Sequence, residues 1–428
     1  METKKIGLKE AISIGIGGMV GGGIFAVLGL AVSLGKGGTP ISFLVAGIIA
    51  LITSYSYVKL SLSYSDRGGT VKFVNQGFGK NILSGSINNL LWVSYIIMLA
   101  LYASAFGSYA ANLFKLTGST IIDIHIYESA IVVLASIINY YSIKVVGKIE
   151  AYAVIIKLVI LLLFIVVGLY GLSGNTYLSQ LSIQNWEPPV KILTGGMVIF
   201  VAYEGFELIA NASPDIINPK INIPKAYYYS VIFVILLYII IATITVGSLP
   251  FSEIATAQDY VLAEAVKPML GKIGFTIITI AALISTFSAI NASIYGGSRV
   301  SYEIAEDDEL PHEFTSKLWN EPIGLLITSV ATLILVNTLK LVSISIAGSI
   351  GFLIIFAIVN FVGYKLSKNI NGNKIIPAVG FFSCIIALAT LIFQQYATNS
   401  EGILISAGII LVCFILEFLY KKTELINW

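Results

Sequence analysis

Twelve long, nearly unbroken apolar stretches follow one another along the chain, near residues 11–34, 40–64, 83–114, 126–142, 149–173, 192–211, 226–249, 272–305, 323–339, 341–364, 375–397 and 402–420. Most are long enough to cross roughly 30 Å of bilayer hydrocarbon as α-helices. They are continuous rather than alternating, which argues against the short, period-two strands of a membrane barrel. The pattern therefore predicts an all-α integral membrane protein with about twelve transmembrane helices. The longest polar segment runs only from about Glu303 to Glu321, and no Pro/Ser-rich linker divides the chain, so a single membrane domain is expected.

The departures from apolarity carry the information. Six glycines crowd into nine residues of the first stretch, at Gly15, Gly17, Gly18, Gly21, Gly22 and Gly23. Each costs a helix interior about 1 kcal/mol relative to alanine, so the cluster weakens this helix by roughly 6 kcal/mol. A break is expected there, and broken backbone at membrane depth is tolerated only inside protein or along a polar cavity. The sixth stretch has a matching irregularity, Tyr203-Glu204-Gly205-Phe206-Glu207, with two carboxylates and a glycine in an apolar span. Weakened helices in corresponding positions predict inverted repeats and a midplane binding site for a small zwitterion. The expected organisation is helices 1–5 over residues 11–173, helices 6–10 over 192–364 and two further helices over 375–420, with cytosolic termini at 1–10 and 421–428.

Composition agrees with this class and fixes an orientation. The 428 residues are 57% hydrophobic and 11% charged, with a mean hydropathy of +0.91, far outside the range of soluble domains. With both termini in the cytosol, eighteen Lys and Arg fall at or near the inner side and six on the outer side, leaving Lys157 in the membrane. That excess satisfies the positive-inside rule. The net charge of +2 is spread over inner loops, so it reports topology and not nucleic-acid binding. The basic N-terminal region precedes a run too long for a cleaved signal, with no Ala-x-Ala-like site after it, so the first helix is expected to remain. Cys384 and Cys413 lie in the last two runs and suggest no disulfide framework. His125 and His312 fall outside the runs and read as loop residues. Neither has Cys, Asp or Glu at metal-ligand spacing, so no metal site is expected.

Lys157 lies in Ala153-Val-Ile-Ile-Lys-Leu-Val-Ile-Leu-Leu-Leu163, roughly 14 Å along the helix from Lys148. At that depth the side chain cannot comfortably snorkel to a headgroup, and a charged amine costs at least about 2.5–3.5 kcal/mol. An amine that gains and loses a proton beside broken-helix carbonyls can act as a positive charge that comes and goes. The eighth run repeats small and hydroxyl residues, Ala281, Ser285, Ser288, Ala292 and Gly296, at helical spacing. That spacing suits close packing. It also makes Ser285 and Ser288, with Gly17, candidate partners of Lys157. Glu204 and Glu207 lean to one side of the sixth helix. Glu204, beside the expected break, is the candidate to meet substrate or a proton, and Glu207 is equally well read as structural.

Three motifs resemble the amino acid-polyamine-organocation transporters, over essentially the whole chain. They are Gly15-Ile-Gly-Gly-Met-Val-Gly-Gly-Gly-Ile-Phe25, then Phe200-Val-Ala-Tyr-Glu-Gly-Phe-Glu207 with Asn218-Pro-Lys-Ile-Asn-Ile-Pro-Lys225, and Ser288-Ala-Ile-Asn-Ala-Ser-Ile-Tyr295 through Asp308-Glu-Leu-Pro311. Gly68-Gly69 follows the second run as the family pattern requires, and the likeness is greatest to archaeal proton-coupled, broad-specificity amino acid transporters. The resemblance implies a LeuT-like fold of five plus five inverted helices with two added. It implies a substrate held by backbone at the two breaks, and a fifth-helix lysine, matched by Lys157, in place of a sodium ion. On that footing Gly21, Gly22 and Gly23 would present amides to a carboxylate. The backbone near Phe200 and Ala202 would accept from an ammonium, and Tyr203 or Phe206 would cover the substrate. The chain departs from the family pattern at Glu204, where relatives are usually apolar, at Pro214-Asp215 after the sixth helix, and at Glu306 before Asp307.

The reading is a secondary transporter of amino acids or related amines in the cytoplasmic membrane, working by alternating access with proton symport and no cofactor. An amine-exchanging antiporter and a sodium-coupled symporter are the alternatives. A membrane-embedded enzyme is the rival from another class, and it lacks a nucleophile, base or metal cluster.

Overall fold

The computed structural model describes residues 5–141, 143–172, 174, 176–310, 312–315, 317–318 and 321–426. Residues 1–4 with Lys4, Pro311 of the eighth-helix exit motif, and 427–428 lie outside the described residues. The chain is almost entirely helical. The first span is a pair, Leu8–Met19 and Gly23–Gly35, bent by 45°. Thr39–Ser63, Ile82–Leu113, Thr120–Tyr141 and Ile143–Leu172 form the second to fifth. The sixth is again broken, with Pro189–Val198 and Phe200–Asp215 meeting at 45°. Pro219–Ser248, Lys267–Glu306, Leu341–Lys365, Ile375–Thr398 and Ser400–Ile426 bring the described residues to eleven spans of crossing length, each bent pair counted once, and the shorter 16-residue apolar helix Ile323–Thr338 stands ninth in a series of twelve. The two broken spans stand five helices apart, as a LeuT-like five-plus-five inverted repeat with two added helices requires.

Burial sorts the spans into an interior and a lipid-facing shell. The central stretch of the third span is 89% buried and that of the tenth 83%, against 28% for the fourth and eleventh and 22% for the twelfth. Outer spans leave large apolar side chains such as Tyr170, Phe393 and Leu404 exposed, which lipid rather than water must cover. The interior is held by small residues and aromatic rings: Tyr57, Phe206, Tyr227 and Phe356, from the second, sixth, seventh and tenth spans, form one buried cluster.

Only Gly21 and Gly22 of the six clustered glycines lie in the break of the first span. Gly15, Gly17 and Gly18 lie in intact helix, and the break is confined to Val20–Gly22. Gly18 is needed for close approach instead: a Cβ there would come within 2.7 Å of the Gly205 carbonyl and 2.9 Å of the Gly205 Cα. Backbone meets backbone where the two broken spans cross, which explains a glycine on each side.

Two elements and one helix start differ from the sequence expectation. Thr70–Phe78 forms a short helix after the second span, and Phe251–Thr256, Gln258–Tyr260 and Val261–Ala265 pack Ile254, Val261 and Leu262 into the interior between the seventh and eighth spans. The fourth span begins at Thr120, so His125 is helical rather than in a loop, and its Nδ1 lies 3.3 Å from Glu128. Asp123 absorbs the polarity of that first turn, accepting from the Leu116 and Thr117 amides at 3.0 and 2.9 Å and from the Thr117 hydroxyl at 2.7 Å. Cys384 and Cys413 are buried and free in the eleventh and twelfth spans.

Candidate functional site

The break in the first span has two ends with opposite needs. A helix leaves its last carbonyls and first amides without intrahelical partners. Here the carbonyl end is met by three other spans. Lys157 of the fifth donates to the Gly17 carbonyl at 3.0 Å, and the Tyr238 hydroxyl of the seventh to Met19 at 2.6 Å. Ser285 of the eighth donates to Val20 at 3.0 Å and approaches the Gly21 carbonyl as well. Ser288 is fully buried one turn further along the eighth span. The amide end is different: the Gly23–Gly35 half starts at Gly22 with no side-chain cap. Its dipole presents positive potential there, suited to a carboxylate.

The sixth span supplies the complement. Its first half ends at Val198, whose carbonyl accepts from Ser345 and Ser349 of the tenth span at 2.7 and 2.9 Å, while Ser349 accepts from the Val201 amide at 3.2 Å. Phe200–Glu207 continues as a tighter 3₁₀ helix. Gly23 is pressed against Ala202, where a Cβ would come within 2.8 Å. The positive start of one half-helix and the negative end of the other are thus side by side, which suits the two charges of a zwitterion.

Around this pair the structure separates the candidates drawn from sequence. Gly22 faces the ring of Tyr102 from the third span, and the Tyr102 hydroxyl lies 3.4 Å from Glu204 Oε1. Gly22, Gly23, Ala202 and Glu204 therefore share one locality. Tyr203 and Phe206 are engaged with other spans. Tyr203 donates to the Phe43 carbonyl of the second span at 2.9 Å and packs edge-on to Tyr238. Phe206 belongs to the Tyr57–Phe356 cluster, and the Phe200 ring also packs on Phe356. Tyr203 and Phe206 are thus engaged with the second, seventh and tenth spans, and Tyr102 is the ring that lies against Gly22.

Glu207 is a clip. It accepts from Tyr95 at 2.6 Å, Thr70 at 2.7 Å and Tyr57 at 3.3 Å, joining the sixth span to the third, to the short helix and to the second. Buried hydroxyls left without an acceptor cost about 1–3 kcal/mol each. Because Tyr57 and Thr70 can still bond each other at 3.0 Å, two hydroxyls lose their acceptor, and Glu207→Ala is expected to lower stability by at least about 2 kcal/mol, and more than Glu207→Gln, which keeps an acceptor. Equal melting of the Ala variant and the parent protein would remove this structural role.

Sequence inspection missed Tyr102, although a signal existed. Tyr95, Tyr102 and Tyr109 recur every seven residues along the third span and so share a face. Each reaches a broken span: Tyr95 to Glu207, Tyr102 to Glu204, and Tyr109 to the Phe25 carbonyl at 3.4 Å. Ion pairs and a backbone bridge also tie the segments flanking the spans at both ends of the bundle. At one end Lys36 pairs with Glu187 at 2.9 Å. At the other, Ile6 pairs in parallel with Ile216, Arg67 lies 3.6 Å from Asp215, and Lys80 lies 3.0 Å from Asp307. Lys36 and Lys191 hold the Glu187 carboxyl below the usual carboxylate range. Asp215 and Asp307, beside the departures at Pro214 and Glu306, thus each keep a basic partner.

The profile of the family described as amino acid permease matches residues 6–417. The chain belongs to the amino acid permease family. An uncharacterized protein of Methanocaldococcus jannaschii is 34% identical over 99% of this chain and 96% of its own length. The inner membrane transport protein YbaT of Escherichia coli is 29% identical, over 99% and 97%. The serine/threonine exchanger SteT of Bacillus subtilis is 27% identical, over 74% and 70%. This permease is accordingly a multi-pass membrane transporter of the amino acid-polyamine-organocation superfamily and not an enzyme. Among the described residues of the permease no cluster of His, Cys, Asp and Glu is arranged to hold a metal ion.

Proposed function

We propose that the permease carries amino acids or related amines across the cytoplasmic membrane by alternating access, in symport with protons, with both termini in the cytosol. Residues 11–173 and 192–364 act as the two inverted repeats and 375–420 as added helices. The substrate carboxylate meets the backbone amides at Gly21, Gly22 and Gly23, and its ammonium meets carbonyls near Phe200 and Ala202.

The observation that carries this reading is the placement of Lys157. Its amine is fully buried and donates to Gly17, one turn before the break that supplies the carboxylate site. A protonated Lys157 attracts that carbonyl and fixes the first half-helix. A neutral amine is a weaker donor, so the proton's arrival and departure change the geometry of the same helix that holds substrate. Ser285 reinforces the carbonyl end from the eighth span, and Ser288 lies one turn beyond it. The rival is obligate exchange, favoured by likeness to a serine/threonine exchanger. Amino acids and amines are to be screened for thermal stabilisation of the purified protein, and ligands that raise the melting temperature tested for uptake into liposomes. Uptake driven by an imposed pH gradient into liposomes without internal amino acid supports symport. Uptake only into amino-acid-loaded liposomes, without a pH gradient, supports exchange.

A further inference from the structure

Glu204 is the one acid of the site whose hydrogen bonds are incomplete. Its side chain is 4% exposed, Oε1 has only the distant Tyr102 hydroxyl, and Oε2 has no hydrogen-bond partner. Among the described residues no basic side chain pairs with it. Glu207, one turn on, has three hydroxyl donors. The protein thus satisfies one buried carboxylate fully and leaves the other open beside the substrate position. An open buried carboxylate is costly unless a cation or donor comes to it.

The surroundings set where that donor comes from. The Tyr102 ring lies with its Cδ1 edge against Gly22 and its hydroxyl at Glu204 Oε1, so it spans the gap between the uncapped helix start and the Glu204 carboxylate. A ligand that places its carboxylate at the Gly22–Gly23 amides and turns Tyr102 aside has Glu204 about one phenol length away. An α-ammonium is too near the carboxylate to bridge that gap, but a cationic group at the end of a several-carbon side chain does so.

We infer that Glu204, gated by Tyr102, selects amino acids bearing a terminal ammonium or guanidinium on an extended side chain. This rests on the amino acid site proposed above. The test is the affinity of the purified wild-type protein for lysine, ornithine, 2,3-diaminopropionate and norleucine, repeated with Glu204→Gln and Tyr102→Phe. A charge-assisted hydrogen bond is worth about 1.5–3 kcal/mol, so lysine and ornithine are expected to bind roughly 10- to 100-fold more tightly than norleucine. Diaminopropionate, with the short chain, gains little, and Glu204→Gln brings the lysine-to-norleucine ratio toward one. The wild-type series decides even if a variant fails to fold. Equal binding of lysine and norleucine overturns the inference while leaving the amino acid site intact, and so does a Glu204→Gln variant that shifts only the pH profile. Failure of all four ligands and of neutral amino acids generally would instead overturn the proposed function.

Discussion

Lys157→Ala is expected to abolish accumulation of substrate against its gradient when a pH gradient is the only driving force. The variant removes the donor to the Gly17 carbonyl and a fully buried amine in the middle of the fifth span. Loss of a charge-assisted bond worth about 1.5–3 kcal/mol also loosens the carbonyl end of the break, so substrate affinity falls roughly 10- to 100-fold. Uptake into liposomes measures the first effect, and binding to purified protein the second. Wild-type uptake that requires sodium and ignores pH would remove the coupling role. Unimpaired pH-driven accumulation by the Ala variant would do the same.

Gly22→Leu is expected to eliminate substrate binding, a loss of at least about 100-fold, equivalent to roughly 2.7 kcal/mol. Gly22 has no room for a side chain, because its Cβ would enter the ring of Tyr102. A leucine would push that ring and occupy the approach to the amides of the Gly23–Gly35 helix. Overpacking of this kind costs about 1–3 kcal/mol, so the melting temperature should fall modestly while binding disappears. Gly22→Ala should lie between leucine and the parent in affinity. Unchanged affinity in the leucine variant would move the site away from this break.

The number of spans, the two breaks and the depth of Lys157 were legible because each is a local statement. A run of apolar residues has a length, and a lysine seven residues from the nearest charge, Glu150, lies deep. Side-chain direction was not legible. The third span is apolar or small on nearly every face because it is buried on nearly every face, so its pattern does not say which face meets a break. Tyr203 and Phe206 are a second case: they lie within two residues of Glu204 in sequence, but the tight turn of Phe200–Glu207 sends their rings to the second, seventh and tenth spans. The glycine cluster also carried two signals at once, backbone crossing at Gly18 and helix break at Gly21–Gly22. Composition alone does not separate these. The segment over residues 249–266 was passed over because its three short helices are each below spanning length, although Val261 and Leu262 are wholly buried.

The central claim is that amino acid and proton cross together through a site built on the broken first span. Its most direct test is the internal pH of proteoliposomes that enclose a pH-sensitive dye and contain neither sodium nor internal amino acid. The account predicts that adding a transported amino acid outside acidifies the interior, and that Lys157→Ala removes the acidification. Uptake of the amino acid with no change in internal pH would contradict it.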